Sequence, residues 1–475
     1  MDQYNNAVKF KKLRKRFPIF IYESFSIKYQ PDGMALEFVF KVDDYIFRPH
    51  LFLTISKARQ GNIDGQTARS MAFHIGLVEM ISYWKAFCCP HIMIMPYRLN
   101  LEQQAWWKDL FINGLGEFFY TNGISPDHER LFSFSFSDSA EDLPPVCSKE
   151  VPGEALAIPV GGGKDSVVTL EILKNTNPGN RAMVVNQRAA TKRVIEAAGF
   201  DGSTTIEIIR EIDPLLLKLN EEGFLNGHTP FSALLAFIAL LASYLNNTGS
   251  IVLSNESSAN EPSIPGTTIN HQYSKSLRFE QDFRHYIQEY IHNNINYFSF
   301  LRPLNELQIA ALFSGMNRYH HIFRSCNAGS KTDSWCCKCP KCLFTYIILA
   351  PFISGETLKQ IFGSNLFDDQ TLAPLLDQLC GAAENKPLEC VGTIEEVNIA
   401  LMSLIHAPKK DKKLLPVLLQ HYAQSTTHKD YQALSFAGRL TQIPDTGNVP
   451  KKLLSLLEAS VKDLSKLQKS INPVG

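Results

Sequence analysis

No stretch restricts the fold of this chain more than Ala155 to Lys174, which reads A-L-A-I-P-V-G-G-G-K-D-S-V-V-T-L-E-I-L-K. Five of its first six residues are apolar and form a short buried strand. Gly161, Gly162 and Gly163 then turn the chain, Lys164, Asp165 and Ser166 follow, and Val167 onward has the composition of a helix. Strand, glycine turn and helix together make a phosphate site. Glycine lets the backbone approach the oxygens, and the first amides of the helix point at the anion with the helix dipole behind them. The pattern is not a Walker A loop, because no G-K-[ST] follows a four-residue gap, and it lacks the third glycine of a dinucleotide fingerprint.

On either side of this loop the chain divides into three expected parts. Residues 1–150 read as a separate α+β domain. Leu36, Phe38, Phe40 and Val42 alternate as a half-buried strand, and Leu51 to Ile55 is a second strand. A helix is expected from Thr67, and another from Leu101 to Tyr120 with Trp106, Trp107, Leu110 and Phe111 on its buried face. The adjacent Cys88 and Cys89 read as packing residues. Asp138 to Pro152 is rich in Ser, Asp, Glu and Pro and reads as a linker.

Residues 151–345 read as an α/β unit. Strands at Arg181 to Val185, Thr204 to Ile209 and Ser250 to Ser254 alternate with helices at Thr191 to Ala198 and Phe231 to Leu245. Such alternation predicts a parallel sheet with helices on both faces, and ligands bind such sheets at the carboxyl ends of the strands, near a topological switch point. The polar loops at Asn186–Arg188, Glu211–Pro214, Asn226–His228, Ser254–Ser257 and Asn270–Lys275 fall at those ends. A single Asn or Ser there is best read as turn or cap chemistry, but their recurrence favours a site. Residues 346–475 read as helical, with helices at Thr357 to Phe362, Gln370 to Leu379, Ile394 to Ile405 and Leu453 to Gln468, and a charged exposed loop at Lys409 to Lys413.

Cys326, Cys336, Cys339 and Cys342 are spaced C-x9-C-x2-C-x2-C, which suits one tetrahedral Zn²⁺. Cys337 stands inside that knuckle, where glycine would ease the turn, and competes with Cys336 for a metal. Lys+Arg and Asp+Glu both number 47 among the 475 residues, so no net basic field draws the protein to nucleic acid. Phe231 to Leu245, the most apolar stretch, falls short of a membrane span, and the basic run Lys9 to Arg16 leads into too short an apolar segment for a secretory signal. The expected location is the cytoplasm, with the ten cysteines as thiols or metal ligands.

The loop Pro159 to Ser166 is similar to the S-G-G-x-D-S loop of the PP-loop ATP pyrophosphatases, with Gly161 in place of the first serine. Longer segments narrow the match: I-S-Y-W-K-A (Ile81 to Ala86), W-W-K-D-L-F-I-N-G-L-G-E-F-F-Y-T-N-G-I (Trp106 to Ile124), E-I-D-P (Glu211 to Pro214), N-G-H-T-P (Asn226 to Pro230), V-L-S-N-E-S-S-A (Val252 to Ala259), N-H-Q-Y-S-K-S-L (Asn270 to Leu277), W-C-C-K-C-P-K-C (Trp335 to Cys342) and E-C-V-G (Glu389 to Gly392). Together they resemble the UDP-N-acetylmuramoyl-L-alanyl-L-glutamate epimerase family of peptidoglycan precursor synthesis.

The resemblance implies a PP-loop, HUP-like α/β fold and an enzyme that consumes ATP and Mg²⁺, releases AMP and diphosphate, and inverts the terminal L-glutamate of a UDP-MurNAc-dipeptide through an acyl-adenylate. It implies that Gly161, Gly162, Gly163, Ser166 and Asn186 hold the nucleotide. Lys164 would offset diphosphate charge, and Asp165 would hold Mg²⁺ or the phosphates. His228, Glu256, His271, Tyr273 and Lys275 are the candidates for proton transfer and for gripping the glutamate carboxylates. The same loop also suits a carboxylate-adenylating ligase that uses ammonia or an amine, or a zinc-containing enzyme modifying a nucleobase or tRNA. A zinc-stabilised scaffold would leave the glycine loop idle.

Overall fold

A computed structural model describes residues 3–55, 63–147, 153–264, 266–267, 269–406, 414–425, 431, 436–443 and 447–467. The expected charged loop Lys409 to Lys413 and the end of the expected linker lie outside the described residues. In chain order the strands are β1 (Ile19–Gln30), β2 (Gly33–Val42), β3 (Tyr45–Phe47), β4 (His50–Thr54), β5 (His91–Ile94), β6 (Tyr97–Arg98), β7 (Ser133–Phe136), β8 (Glu141–Asp142), β9 (Leu156–Pro159), β10 (Arg181–Val185), β11 (Thr205–Glu211), β12 (Ser250–Leu253) and β13 (Asn296–Ser299).

One sheet runs β13-β12-β9-β10-β11-β4-β2-β1-β5-β7, with β3 beside β2, while β6 and β8 pair apart from it. From β13 to β11 every pairing is parallel. The expected α/β unit is therefore present, with one further edge strand, β13, that the periodicity did not reveal. Alternation along these strands shows why helices cover both faces. Ala157, Met183, Ile251 and Tyr297 enter one core, with helices Gly65–Phe87, Phe231–Asn246 and Leu277–Tyr290. Ile158, Val184, Val252 and Phe298 enter the other, with helices Lys164–Leu173, Glu306–Ser314 and Pro340–Leu349. A strand covered on both faces has no reason to show polar alternation, which is why these strands read as plain apolar runs.

The segment expected as a separate domain, residues 1–150, contributes all its strands but β6 and β8 to the same sheet. β4 pairs antiparallel with β11, Ile208 opposite Leu53 and Arg210 opposite Leu51. The junction is bolted by Arg210, whose Nε and Nη2 donate to the two carboxylate oxygens of Glu79 at 2.9 and 2.7 Å. The long helix expected from Leu101 is two helices, Leu101–Gly114 and Gly116–Thr121. It breaks between two poor helix formers, where a Cβ on Gly114 would lie 2.9 Å from the Pro230 side chain. Of its expected buried face, Trp107, Leu110 and Phe111 are buried, whereas Trp106 packs at the margin of the core. Cys88 and Cys89 are buried, as their reading as packing residues required. Among the described residues, no helix is long and apolar enough to cross a membrane.

Candidate active site

In the parallel part of the sheet β9 is flanked by β10 and β12, and the connections diverge on its two sides. The chain steps from β9 to β10 and β11 in one direction, then returns to β12 and β13 in the other. That reversal leaves a crevice at the carboxyl ends of β9 and β12. A cleft of about 380 Å³ lies there, lined by the loop after β9, by Ser254, Asn255 and Glu256 after β12, and by Arg188 after β10.

The glycine loop is shaped by tight contacts. Gly162 has φ +86°, a conformation that side chains resist, and a Cβ on Gly163 would come within 2.8 Å of the Ser325 Oγ. Ser166 braces the turn from inside: its hydroxyl donates to the Gly163 carbonyl at 2.9 Å and accepts from the Gly162 N–H at 3.2 Å. The Arg324 N–H donates to the Gly162 carbonyl at 2.9 Å. The chain that enters the cysteine cluster is thereby tied to the loop.

Lys164 is buried and ion-pairs with Asp165 and Glu306. Burial works against its charge, but the two carboxylates outweigh burial and hold it well above the ordinary lysine value. Burial pushes the Glu306 carboxyl up against the pull of Lys164, and Asp165, Glu256 and Glu396 add to the rise. Asp165 and Glu256 also act on the buried ammonium of Lys275, so two ammoniums share this group of acids. Behind this cluster, Arg302 Nη1 donates to the Glu256 carbonyl at 2.6 Å, and its Nη2 donates to the Lys275 carbonyl. The Ser254 Oγ is buried with no hydrogen-bond partner among the described residues. An orphaned hydroxyl beside a glycine loop is a ready contact for a polar ligand.

The expected proton-transfer residues divide into three groups. Glu256 and Lys275 line the cleft. His228 and His271 lie just outside its lining, rings 4.5 Å apart, and both turn Nδ1 to the same oxygen of Glu117 on helix Gly116–Thr121. Tyr273 is elsewhere: its hydroxyl donates to Asp109 at 2.7 Å and it does not line the cleft. Asn186, expected to touch the nucleotide, also stays out. Its φ is +48°, its side-chain nitrogen donates to the Arg210 carbonyl at 3.0 Å, and its oxygen accepts from the Arg210 N–H at 2.8 Å. Asp213 of the E-I-D-P motif caps helix Pro214–Glu221, accepting from the Leu215 N–H at 2.8 Å.

Sequence reasoning did not single out Cys390. It lines the cleft and accepts a hydrogen bond from Lys275 Nζ at 3.1 Å, and it is also hydrogen-bonded to His271. Burial alone would raise its thiol, but Lys275, His271 and Lys341 bring it down to about 6. His271 moves the other way: burial opposes its charge, yet Cys390 and Glu117 lift it to about 9. Burial, and the charge of neighbouring His271, lower His228 to about 4. The signal available in the sequence was the segment E-C-V-G, quoted above for likeness but not for chemistry.

The sulfurs of Cys326, Cys336, Cys339 and Cys342 all lie within 4.8 Å of one another. The 326–339, 336–342 and 339–342 pairs are 3.9, 3.7 and 3.5 Å apart. Cys337 does not compete with Cys336. It takes φ +57°, as the expectation of glycine implied, and its thiol turns away to the Phe362 carbonyl at 3.1 Å.

Residues 11–300 match the model of the MurL N-terminal domain, and residues 317–433 match that of the MurL C-terminal domain. The boundary between them falls after β13 and before the cysteine cluster. Two similar proteins carry the name UDP-N-acetyl-alpha-D-muramoyl-L-alanyl-L-glutamate epimerase. One, from Xanthomonas oryzae pv. oryzae, is 37% identical over 336 residues, 69% of this chain and 73% of its own length. The other, from Salinispora tropica, is 38% identical over 335 residues, 69% of this chain and 71% of its own length.

Proposed function

The chain belongs to the MurL family, and on that premise we propose that it is an epimerase acting on the terminal L-glutamate of UDP-MurNAc-L-Ala-L-Glu, driven by ATP and Mg²⁺ in the cytoplasm. The observation that carries this reading is the shared cleft. A glycine loop at a helix start lies there beside Lys275, Glu256 and Cys390, which supports a reading in which phosphate binding and proton transfer share one space.

The α-proton of a glutamate carboxylate is very weakly acidic, because its removal puts a second negative charge beside the first. Transfer of AMP to a carboxylate oxygen, with diphosphate leaving, removes the first charge and makes the carbonyl an electron sink. The α C–H bond then breaks to a base, the electron pair moves onto the carbonyl oxygen, and a proton returns on the opposite face. Water releases AMP and the D-product.

In this reading the amides of Gly161 to Gly163 and of the start of helix Lys164–Leu173 hold phosphate oxygens. Lys164 offsets their charge, and the buried hydroxyl of Ser254 meets a polar group of the nucleotide. Asp165, with Glu306 and Glu256, would hold Mg²⁺, which neutralises phosphate charge when bound. The four-thiol cluster fits Zn²⁺: Zn–S bonds of about 2.3 Å give tetrahedral edges near 3.8 Å, against 3.5 to 3.9 Å between the sulfur pairs above. Its role is structural, holding Arg324 and Ser325 against the glycine loop.

The test is incubation with the UDP-muramoyl dipeptide, ATP and Mg²⁺ in D₂O. The expected result is AMP formation together with D-glutamate bearing deuterium at the α-carbon. AMP without inversion, dependent on an added amine, would make the protein a ligase. Neither AMP nor inversion would refute the assignment of substrate.

A further inference from the structure

Inversion needs a group that can reach the α-carbon as a base and be refilled or emptied between turnovers. The cysteines outside the four-thiol cluster differ sharply in what surrounds them. Cys88, Cys89 and Cys380 are buried in apolar cores, and burial raises each thiol. Cys337 is spent on a backbone carbonyl, and the half-buried Cys147 does not line the cleft. Cys390 alone of these lines the cleft, with Lys275 Nζ at 3.1 Å. Behind it His271 links the sulfur to Glu117, and that carboxylate comes from the N-terminal part of the chain. Thiol, imidazole and carboxylate in series are the arrangement by which proteins keep a thiolate charged and an imidazole oriented.

We propose that Cys390 is a catalytic residue of the inversion, exchanging a proton with the glutamate α-carbon on one face, with His271 and Glu117 as its positioning pair. As base, the thiolate takes the proton: the C–H bond breaks, the S–H bond forms, and the electron pair moves to the activated carbonyl. The His271 imidazolium then gives its Nδ1 proton to Glu117 and takes the S–H proton on its other nitrogen, restoring the thiolate, and Glu117 passes its proton to water. In the reverse sense the thiol donates to the same face. Lys275, fixed beside the sulfur, stabilises the thiolate and lies on its side of the substrate, so the opposite face is served by another group or by water.

This inference rests on the epimerase reading, and the experiment separates the two. Wild-type protein must first form AMP and invert the substrate; if it does neither, it is the epimerase reading that has failed. Given that activity, Cys390→Ser should form the acyl-adenylate, read as substrate-dependent ATP–diphosphate exchange, at near the wild-type rate. Its inversion and α-deuterium incorporation should fall by at least about 100-fold, in the range that general acid–base groups contribute. Inversion within about threefold of wild type would overturn the proposal.

A second measurement needs no variant. Iodoacetamide at pH 7 should label Cys390 ahead of the buried cysteines, and the UDP-muramoyl dipeptide should protect it. Protein labelled there should still form AMP but not invert. Inversion by fully labelled protein would overturn the proposal. So would an intact-mass adduct of the substrate acyl group on Cys390 during turnover, which would make the sulfur a nucleophile instead of a proton carrier.

Discussion

At the phosphate end of the cleft, the consecutive residues Pro159 to Ser166 supply the turn, the buried lysine and the helix start. At the proton-transfer end, Glu117, His228, His271, Lys275 and Cys390 converge from stretches far apart in the chain. The first end is stiffened by its own short-range bonds, such as Ser166 to Gly162 and Gly163. The second holds its geometry only if helix Gly116–Thr121, the loop 226–230, the short helix Tyr273–Lys275 and the segment around Cys390 are all docked. The phosphate end should therefore answer to local changes and the proton end to the packing of the whole molecule.

The largest effect should come from Lys164→Met. It leaves Glu306 buried and uncompensated, which typically costs about 3–5 kcal/mol, and it should lower AMP formation by about 100-fold or more. Urea unfolding and ATP–diphosphate exchange read the two effects, and an unaltered exchange rate would contradict the phosphate role of this end. Next comes removal of metal. A chelator that strips Zn²⁺ should destabilise the chain by several kcal/mol, and because Arg324 holds the Gly162 carbonyl, AMP formation should fall with it. Metal content by mass spectrometry, followed against the melting temperature, checks this; a protein that binds no zinc would break the link between knuckle and loop.

Glu117→Gln should act only at the other end. Inversion is expected to fall on the order of tenfold to 100-fold, with AMP formation unchanged. The pH profile sharpens the point. Cys390 faces Lys275, His271 and Lys341, which hold its thiol down to about 6. A group depressed in this way is charged above that value, so wild-type inversion should fall as pH drops below about 6. His271, lifted to about 9 by Cys390 and Glu117 against burial, loses its charge above that pH, and inversion should fall there too. Removing the Glu117 charge, with His228 as the other neighbour, should draw the alkaline limb to lower pH. An unmoved limb would exclude His271 as its source. The smallest effect is expected of Asn186→Ala: about 1 kcal/mol of stability from its paired bonds to Arg210, and unchanged AMP formation by the same exchange assay. A large loss of exchange would return Asn186 to the nucleotide.

The contrast also explains what the sequence made legible. The strand at Leu156–Pro159, the glycine turn, the helix from Lys164 and the four-thiol spacing are short-range patterns, and each stands in the structure where its pattern put it. Strands β10, β11 and β12 followed from alternation of element types. Pairing of β4 with β11 was not legible, because no local pattern encodes which edges meet. Nor was Cys390, whose chemistry depends on Lys275 and His271 standing beside it. Asn186 shows the opposite case: a polar residue at a strand end also suits a left-handed turn that ties two strands together, and its side chain is bonded to Arg210 there.

The β4–β11 pairing has a consequence for anyone dividing the chain. A cut near residue 150 would yield two pieces that each bare a strand whose N–H and C=O groups had been paired, β4 on one side and β11 on the other. Raw edges of this kind recruit strands from other molecules. Expressed apart, the pieces should aggregate or pair with copies of themselves, whereas co-expressed they should find each other through that seam and be recovered as a stoichiometric complex.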